Sequence, residues 1–167
     1  MESKNLDLYG NPLIGWERAA SQLEQREFHG GRGTYWLSTT CPDGRPHSAG
    51  VLGVWLEGTL YFASGARSLK SRNLQTNPSC AVSASLADLD LVMEGSARRV
   101  TDHETLERVA AEFVRRGWPT AVSGDSLTAE WGAPSAPPPW YLYAVTPLVV
   151  FGVGTAGTPG ATRWSFA

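Results

Sequence analysis

The stretch from Leu60 to Pro78 narrows the fold more than any other part of the chain. Leu60-Tyr61-Phe62 is aromatic and apolar, which suits a short buried strand. Ser64-Gly65-Ala66 interrupts it with small residues that permit a sharp turn. From Ser68 the residues favour a helix, and Asn77-Pro78 stops it, because proline cannot continue a helix and restricts the residue before it. Such a turn presents free backbone N–H groups at a helix N-terminus, where a partial positive charge suits a phosphate. Ser64, Arg67, Ser68, Lys70 and Arg72 stand around it. An ordinary solvated helix also carries basic residues on its outer face, so spacing alone leaves both readings open.

A chain of 167 residues is long enough for one domain with a substantial core. Its net charge of −2 argues against a general binder of nucleic acid or of a membrane surface, which would be basic overall. The basic cluster is therefore a local feature. Cys41 and Cys80 make no disulfide framework, and no Cys/His cluster has the spacing of a metal site. No charged-then-apolar leader opens the chain and no apolar run is long enough to span a bilayer, so a cytoplasmic protein is expected. Seven tryptophans and 18 glycines beside two methionines suggest many tight turns around aromatic packing, hence a mainly β fold with a few helices.

Residues 1–12 read as a loose N-terminal arm and 13–167 as the single domain. Asn11-Pro12 has the form of a helix start, with Leu13, Trp16, Ala20 and Leu23 as its apolar face. His29 falls in the glycine-rich stretch that ends this helix and reads as a loop residue. Strands are expected at Thr34 to Thr40, His47 to Leu56 and Thr59 to Ala63, in an antiparallel meander turned at Pro42-Asp43-Gly44 and Glu57-Gly58. Gly50 and Gly53 within the middle strand point to a bulge or to a ligand approaching the backbone. Two more strands, Cys80 to Ser85 and Leu89 to Val100, precede a helix that Thr101 caps with Glu104 three residues on. Residues 117–139 form a long connection, read as a packed lid or dimer arm around Trp118, Leu127 and Trp131. Trp140 to Val153 then makes a long strand bent at Pro147, and Ala161 to Phe166 a final one.

Several of these segments, in order, resemble the pyridoxamine 5′-phosphate oxidase-like family. Trp36 to His47 is similar to its opening strand–turn–strand, and Gly53 to Phe62 and Ser68 to Leu74 to its next two motifs. Thr162-Arg163-Trp164-Ser165-Phe166 is similar to the tail of its flavin/deazaflavin oxidoreductase branch. The resemblance implies a split β-barrel that forms a homodimer, with a flavin-type cofactor in a cleft between subunits. It assigns Lys70 to the phosphate, with Ser68 and the strand-end residues Ala63 and Ser64 beside it. Gly50, Val51, Gly53 and Val54 would lie against the ring system, and Arg163 and Trp164 near the cleft. The family often has arginine where this chain has Leu69, and Arg67 or Arg72 would supply the missing charge.

No Ser/His/Asp arrangement, paired carboxylate or metal signature stands out, so no catalytic side chain is assigned and a bound redox ring would carry the chemistry. His47 has two readings, a structural hydrogen-bonding residue or a proton donor. Trp55 is expected in the barrel; Trp118, Trp131 and Trp164 are candidates for a cleft wall. The expected function is hydride transfer with a small organic substrate, using FMN or the deazaflavin coenzyme F-420. A non-catalytic flavin- or haem-binding protein is the alternative. Pyridoxamine phosphate oxidation fits less well, because the C-terminal arginine/histidine pattern of that enzyme is missing.

Overall fold

The computed structural model describes residues 1–28, 34–130, 137–157 and 159–166. Its strands are β1 (Glu2–Asn5), β2 (Thr34–Thr40), β3 (Pro46–Leu56), β4 (Thr59–Gly65), β5 (Ser79–Ser85), β6 (Leu89–Val100), β7 (Thr120–Ser123), β8 (Ser126–Ala129), β9 (Trp140–Gly154) and β10 (Ala161–Ser165). The helices are α1 (Trp16–Glu24), α2 (Leu69–Thr76) and α3 (His103–Arg115). The strands lie in the order β1-β10-β9-β4-β3-β2-β5-β6, and β6 pairs back onto β9. Strands β9, β4, β3, β2, β5 and β6 thus close a barrel, with β10 and β1 added outside β9. The two edges of one long strand, β9, serve both sides of that closure. Leu60 to Gly65 pair with residues 140–145 of β9, while β6 runs along nearly its whole length.

The expected bend at Pro147 is where the β6–β9 register slips, between Glu94 and Gly95. A Cβ on Gly95 would stand 2.3 Å from the Thr146 carbonyl oxygen, so only glycine lets the strands approach there.

Alternation along the strands separates two cores. Val51 and Trp55 of β3, Leu60 and Phe62 of β4 and Tyr35 and Leu37 of β2 fill the barrel. On the other face Val54 and Tyr61 meet Leu106, Val109, Ala110 and Phe113 of α3. Trp55 is in the barrel core as expected, and Trp118 is buried against α3. Between α3 and α1 lies a buried ion pair. Arg116, 2 % exposed, donates to Glu112 at 2.7 Å and to the carbonyls of Arg26, Glu24 and Trp55 at 2.7, 3.1 and 3.3 Å. The arginines beside Glu112 hold its carboxyl down at about 2.

Three local expectations are corrected, and the connection at 117–139 gains detail. Asn11-Pro12 does not start α1, which begins at Trp16 after Gly15. Asp7 captures Asn11 instead, accepting from its backbone N–H at 2.8 Å and its side-chain amide at 3.0 Å, and Leu13 is left exposed. The first ten residues are not loose throughout, since Glu2–Asn5 pair with β10. Asp102, not Thr101, caps α3, accepting from the Thr105 N–H at 2.9 Å. Within 117–139 the chain folds a hairpin, β7–β8, whose Leu127 pairs with Trp140. His29 and Trp131 lie outside the described residues. No helix is long and apolar enough to cross a membrane, and no metal-binding cluster occurs among the described residues.

Candidate functional site

Strand β4 ends at Gly65, whose partner across the ladder is Trp140, the first residue of β9. The chain must reverse here to reach α2. It does so in a turn closed by the Ser68 N–H donating to the Gly65 carbonyl at 3.0 Å. Ser68 is the N-cap of α2, with extended backbone (φ −68°, ψ 156°), and its hydroxyl accepts from the Ser71 N–H at 3.3 Å. Its hydroxyl also lies 2.9 Å from that of Ser64. Ser71, fully buried, has Ser64 Oγ at 2.9 Å and the Gly65 carbonyl at 3.0 Å as alternative acceptors for its one hydroxyl proton. Three serine hydroxyls from the strand end, the cap and the first helical turn therefore form one network. They hold the helix N-terminus rigidly against the strand.

The N–H groups of Leu69 and Lys70, in the first turn of α2, have no carbonyl four residues back within the helix. A groove of about 250 Å³ opens at the turn that precedes them, lined by Gly65, Ala66, Arg67 and Ser68 on one side and by Pro137, Pro138 and Pro139 on the other; Ser64, Leu69 and Lys70 adjoin the turn without lining the groove. The Lys70 ammonium is half-buried, and burial holds it below the usual lysine range. Among the described residues no acid pairs with Lys70, Arg67 or Arg72. Donors without acceptors at a helix N-terminus are a set that suits an anion.

The structure brings Ser64, Arg67, Ser68 and Lys70 to this turn, with Arg72 exposed on the next turn of α2. Ala63 sits just before it, packed towards α3. The other expected residues divide differently. Gly50 lies on the exposed outer face of β3, opposite Trp36, itself 56 % exposed. Val51 and Val54 are not surface residues: their side chains are 5 % and 0 % exposed, in the barrel and α3 cores respectively. Gly53 has an internal reason, because a Cβ there would meet the Tyr61 carbonyl at 2.9 Å and the Tyr35 ring at 3.2 Å. Trp164 is fully buried and forms no cleft wall. It stacks edge-on with Trp16 and occupies the space left by Gly152, whose Cβ would come within 2.5 Å of the indole. Arg163 is half-buried on β10. It pairs with Phe151 of β9, while Ser64 pairs with Tyr141, so roughly 30 Å of strand separates them within one chain. His47 is half-buried on β3 with no side-chain hydrogen bond among the described residues.

Sequence reasoning overlooked Ser71 and the proline wall. Ser71 stands three residues after the cap, the spacing at which a cap bonds the helix. Pro137–Pro139 immediately precedes the strand that pairs with Gly65.

The family model described as pyridoxamine 5′-phosphate oxidase matches residues 22–130. Comparison with curated proteins finds no match. Among solved structures, a pyridoxamine 5′-phosphate oxidase-related, FMN-binding protein from Nostoc punctiforme is 19% identical, with a TM-score of 0.60 over 93% of this chain and 98% of that one. An F-420 reductase is 23% identical, with a TM-score of 0.53 over 78% of this chain and 93% of that one. A heme binding protein from Mycobacterium smegmatis is 16% identical, with a TM-score of 0.59 over 92% of this chain and 59% of that one. These likenesses establish a shared fold.

Proposed function

Because the chain belongs to the pyridoxamine 5′-phosphate oxidase family, we propose that it is an oxidoreductase that holds FMN or coenzyme F-420 by its phosphate at the β4–α2 turn. The observation that carries this reading is the serine-braced N-terminus of α2 beside an unpaired lysine. The donor set fits a phosphate. Ser68 and the first-turn N–H groups offer hydrogen bonds, while Lys70 and Arg67 offer charge. When bound, the flavin-type ring supplies hydride transfer to or from a small organic substrate. The residues of this chain bind, orient and shield it.

A homodimer forms part of the same proposal. The outer face of the barrel carries Trp36, Val92 and Val153, all more than a third exposed, in a band with small residues such as Ser83. Exposed apolar side chains gathered on one face suit a second copy. A two-fold partner is also the way for Arg163, far from Ser64 along its own chain, to approach a cofactor. Light scattering at micromolar concentration should give twice the chain mass, and a monomer would refute this part.

Leu69, where the family often has arginine, leaves the phosphate without a bidentate clamp, while Arg67 and Arg72 add charge along the helix. That distribution favours the deazaflavin, whose anionic tail continues beyond the phosphate. Parallel fluorescence titrations should show F-420 binding tighter than FMN, with a preference that shrinks at high salt. Tighter FMN binding at both salt levels would reverse the assignment. The second reading is a non-catalytic flavin- or haem-binding protein, to which the heme binding neighbour's fold lends support. A Soret band after haem addition, with no flavin binding, would favour it.

A further inference from the structure

A separate cavity of about 310 Å³ opens at the other end of α2. None of the residues lining it borders the groove at the β4–α2 turn. Leu74, Pro78 and Ala97 give it an apolar side, Gln75 and Tyr143 a polar one, and its rim carries Arg98 and Arg99 from the end of β6. Consecutive strand residues ordinarily face opposite ways, yet both guanidinium-bearing residues border this one cavity. No acidic side chain lines it, and among the described residues nothing pairs with Arg98. Arg99 is held in place, 3.5 Å over the Tyr141 ring, with the Asp125 carboxylate of the β7–β8 turn at 2.7 Å.

We infer that this cavity binds a small organic carboxylate, its anionic end on Arg98 and Arg99 and its apolar body against Leu74, Pro78 and Ala97. Arg99 already takes one carboxylate partner, Asp125 at 2.7 Å. Arginine presents a planar fork matched to carboxylate oxygens, and a neighbouring unpaired arginine supplies a second charge. The volume lies at the lower end of the range of small-molecule pockets, so the ligand is compact. Inorganic phosphate satisfies the rim but gains nothing from the apolar wall, which argues for carboxylate over phosphate. The site is independent of the proposed cofactor and can be tested on the protein with none added.

The test uses benzoate, acetate and inorganic phosphate as probes, read by calorimetry and by ligand-observed NMR on the whole protein. Benzoate should bind, and acetate and phosphate each at least about tenfold more weakly. Arg98→Ala, an exposed change, should weaken benzoate binding about tenfold, whereas Arg108→Ala on α3 should leave it unchanged. Asp125→Asn removes the competing carboxylate and should tighten binding several-fold, a gain that mere loss of structure cannot produce. Failure of benzoate to bind at 10 mM (about the weakest affinity worth calling a site), equal binding of phosphate, or indifference to Arg98→Ala would each overturn the inference.

Discussion

Helices α2 and α3 both pack on the barrel wall, but they are held there by different forces. α3 buries Leu106, Val109, Ala110 and Phe113, four apolar side chains on one face, and adds the enclosed Arg116–Glu112 pair. α2 buries Ser71, Asn73 and Leu74, so two of its three buried side chains are polar. Asn73 donates to Thr39 Oγ1 at 3.0 Å, and Ser71 to the strand end as described. Apolar packing is strong and indifferent to small rotations, whereas hydrogen bonds are weak singly but fix direction. α3 is accordingly a stabilising element, and α2 is aimed. Its N-terminus points at a chosen place because three hydroxyls keep it there.

The contrast can be broken by substitution, beginning with the largest effect. Phe113→Ala should cost about 3–5 kcal/mol in chemical denaturation, with cofactor affinity of the folded fraction unchanged. Arg116→Ala leaves three carbonyls without their donor and Glu112 with Arg115 alone, and should cost about 3 kcal/mol, again without touching affinity. If either change shifted binding as much as stability, the division of labour would be wrong.

At α2 the order should invert. Lys70→Ala should weaken the phosphate-bearing cofactor roughly 5- to 150-fold while stability moves by less than about 0.5 kcal/mol. Ser71→Ala should cost about 1 kcal/mol of stability and also lower affinity, because the cage loosens. Arg108→Ala on α3, which breaks an exposed pair with Glu57 of the β3–β4 turn, should do neither.

Acid sharpens the same comparison. Glu112 is held at about 2, below its ordinary 4.5, so folding keeps its proton off. The stability it contributes is complete above about 4.5 and is lost as pH falls towards about 2. Arg115 first and Arg116 after it hold that carboxylate ionised, so Glu112→Gln should flatten that limb of a stability–pH curve, and a wild-type curve without it would contradict the role given to Glu112 between its two arginines.

Local signals made part of this legible in advance. The β2–β4 meander follows alternation and turn residues, and α2 was bounded by Ser68 and Asn77-Pro78, which hold in the structure. Long-range capture was not legible. Asn11 looks like a cap until Asp7, four residues earlier, takes its N–H groups. Arg116 looks like a solvated helix end, yet it closes the end of α1, ninety residues away in sequence from Arg26. At the site, Ser64, Arg67, Ser68 and Lys70 are sequence neighbours and were found together. Val51, Val54 and Trp164 were placed at the cofactor through resemblance, but strand alternation and the space at Gly152 send their side chains inward.

The claim that α2 is aimed at a phosphate is tested most directly by comparing FMN with riboflavin, which differs by that group alone. Wild-type protein should bind FMN at least about tenfold tighter than riboflavin, and Lys70→Ala should close most of the gap. Equal affinities in the wild type, or a gap that survives Lys70→Ala intact, would contradict it.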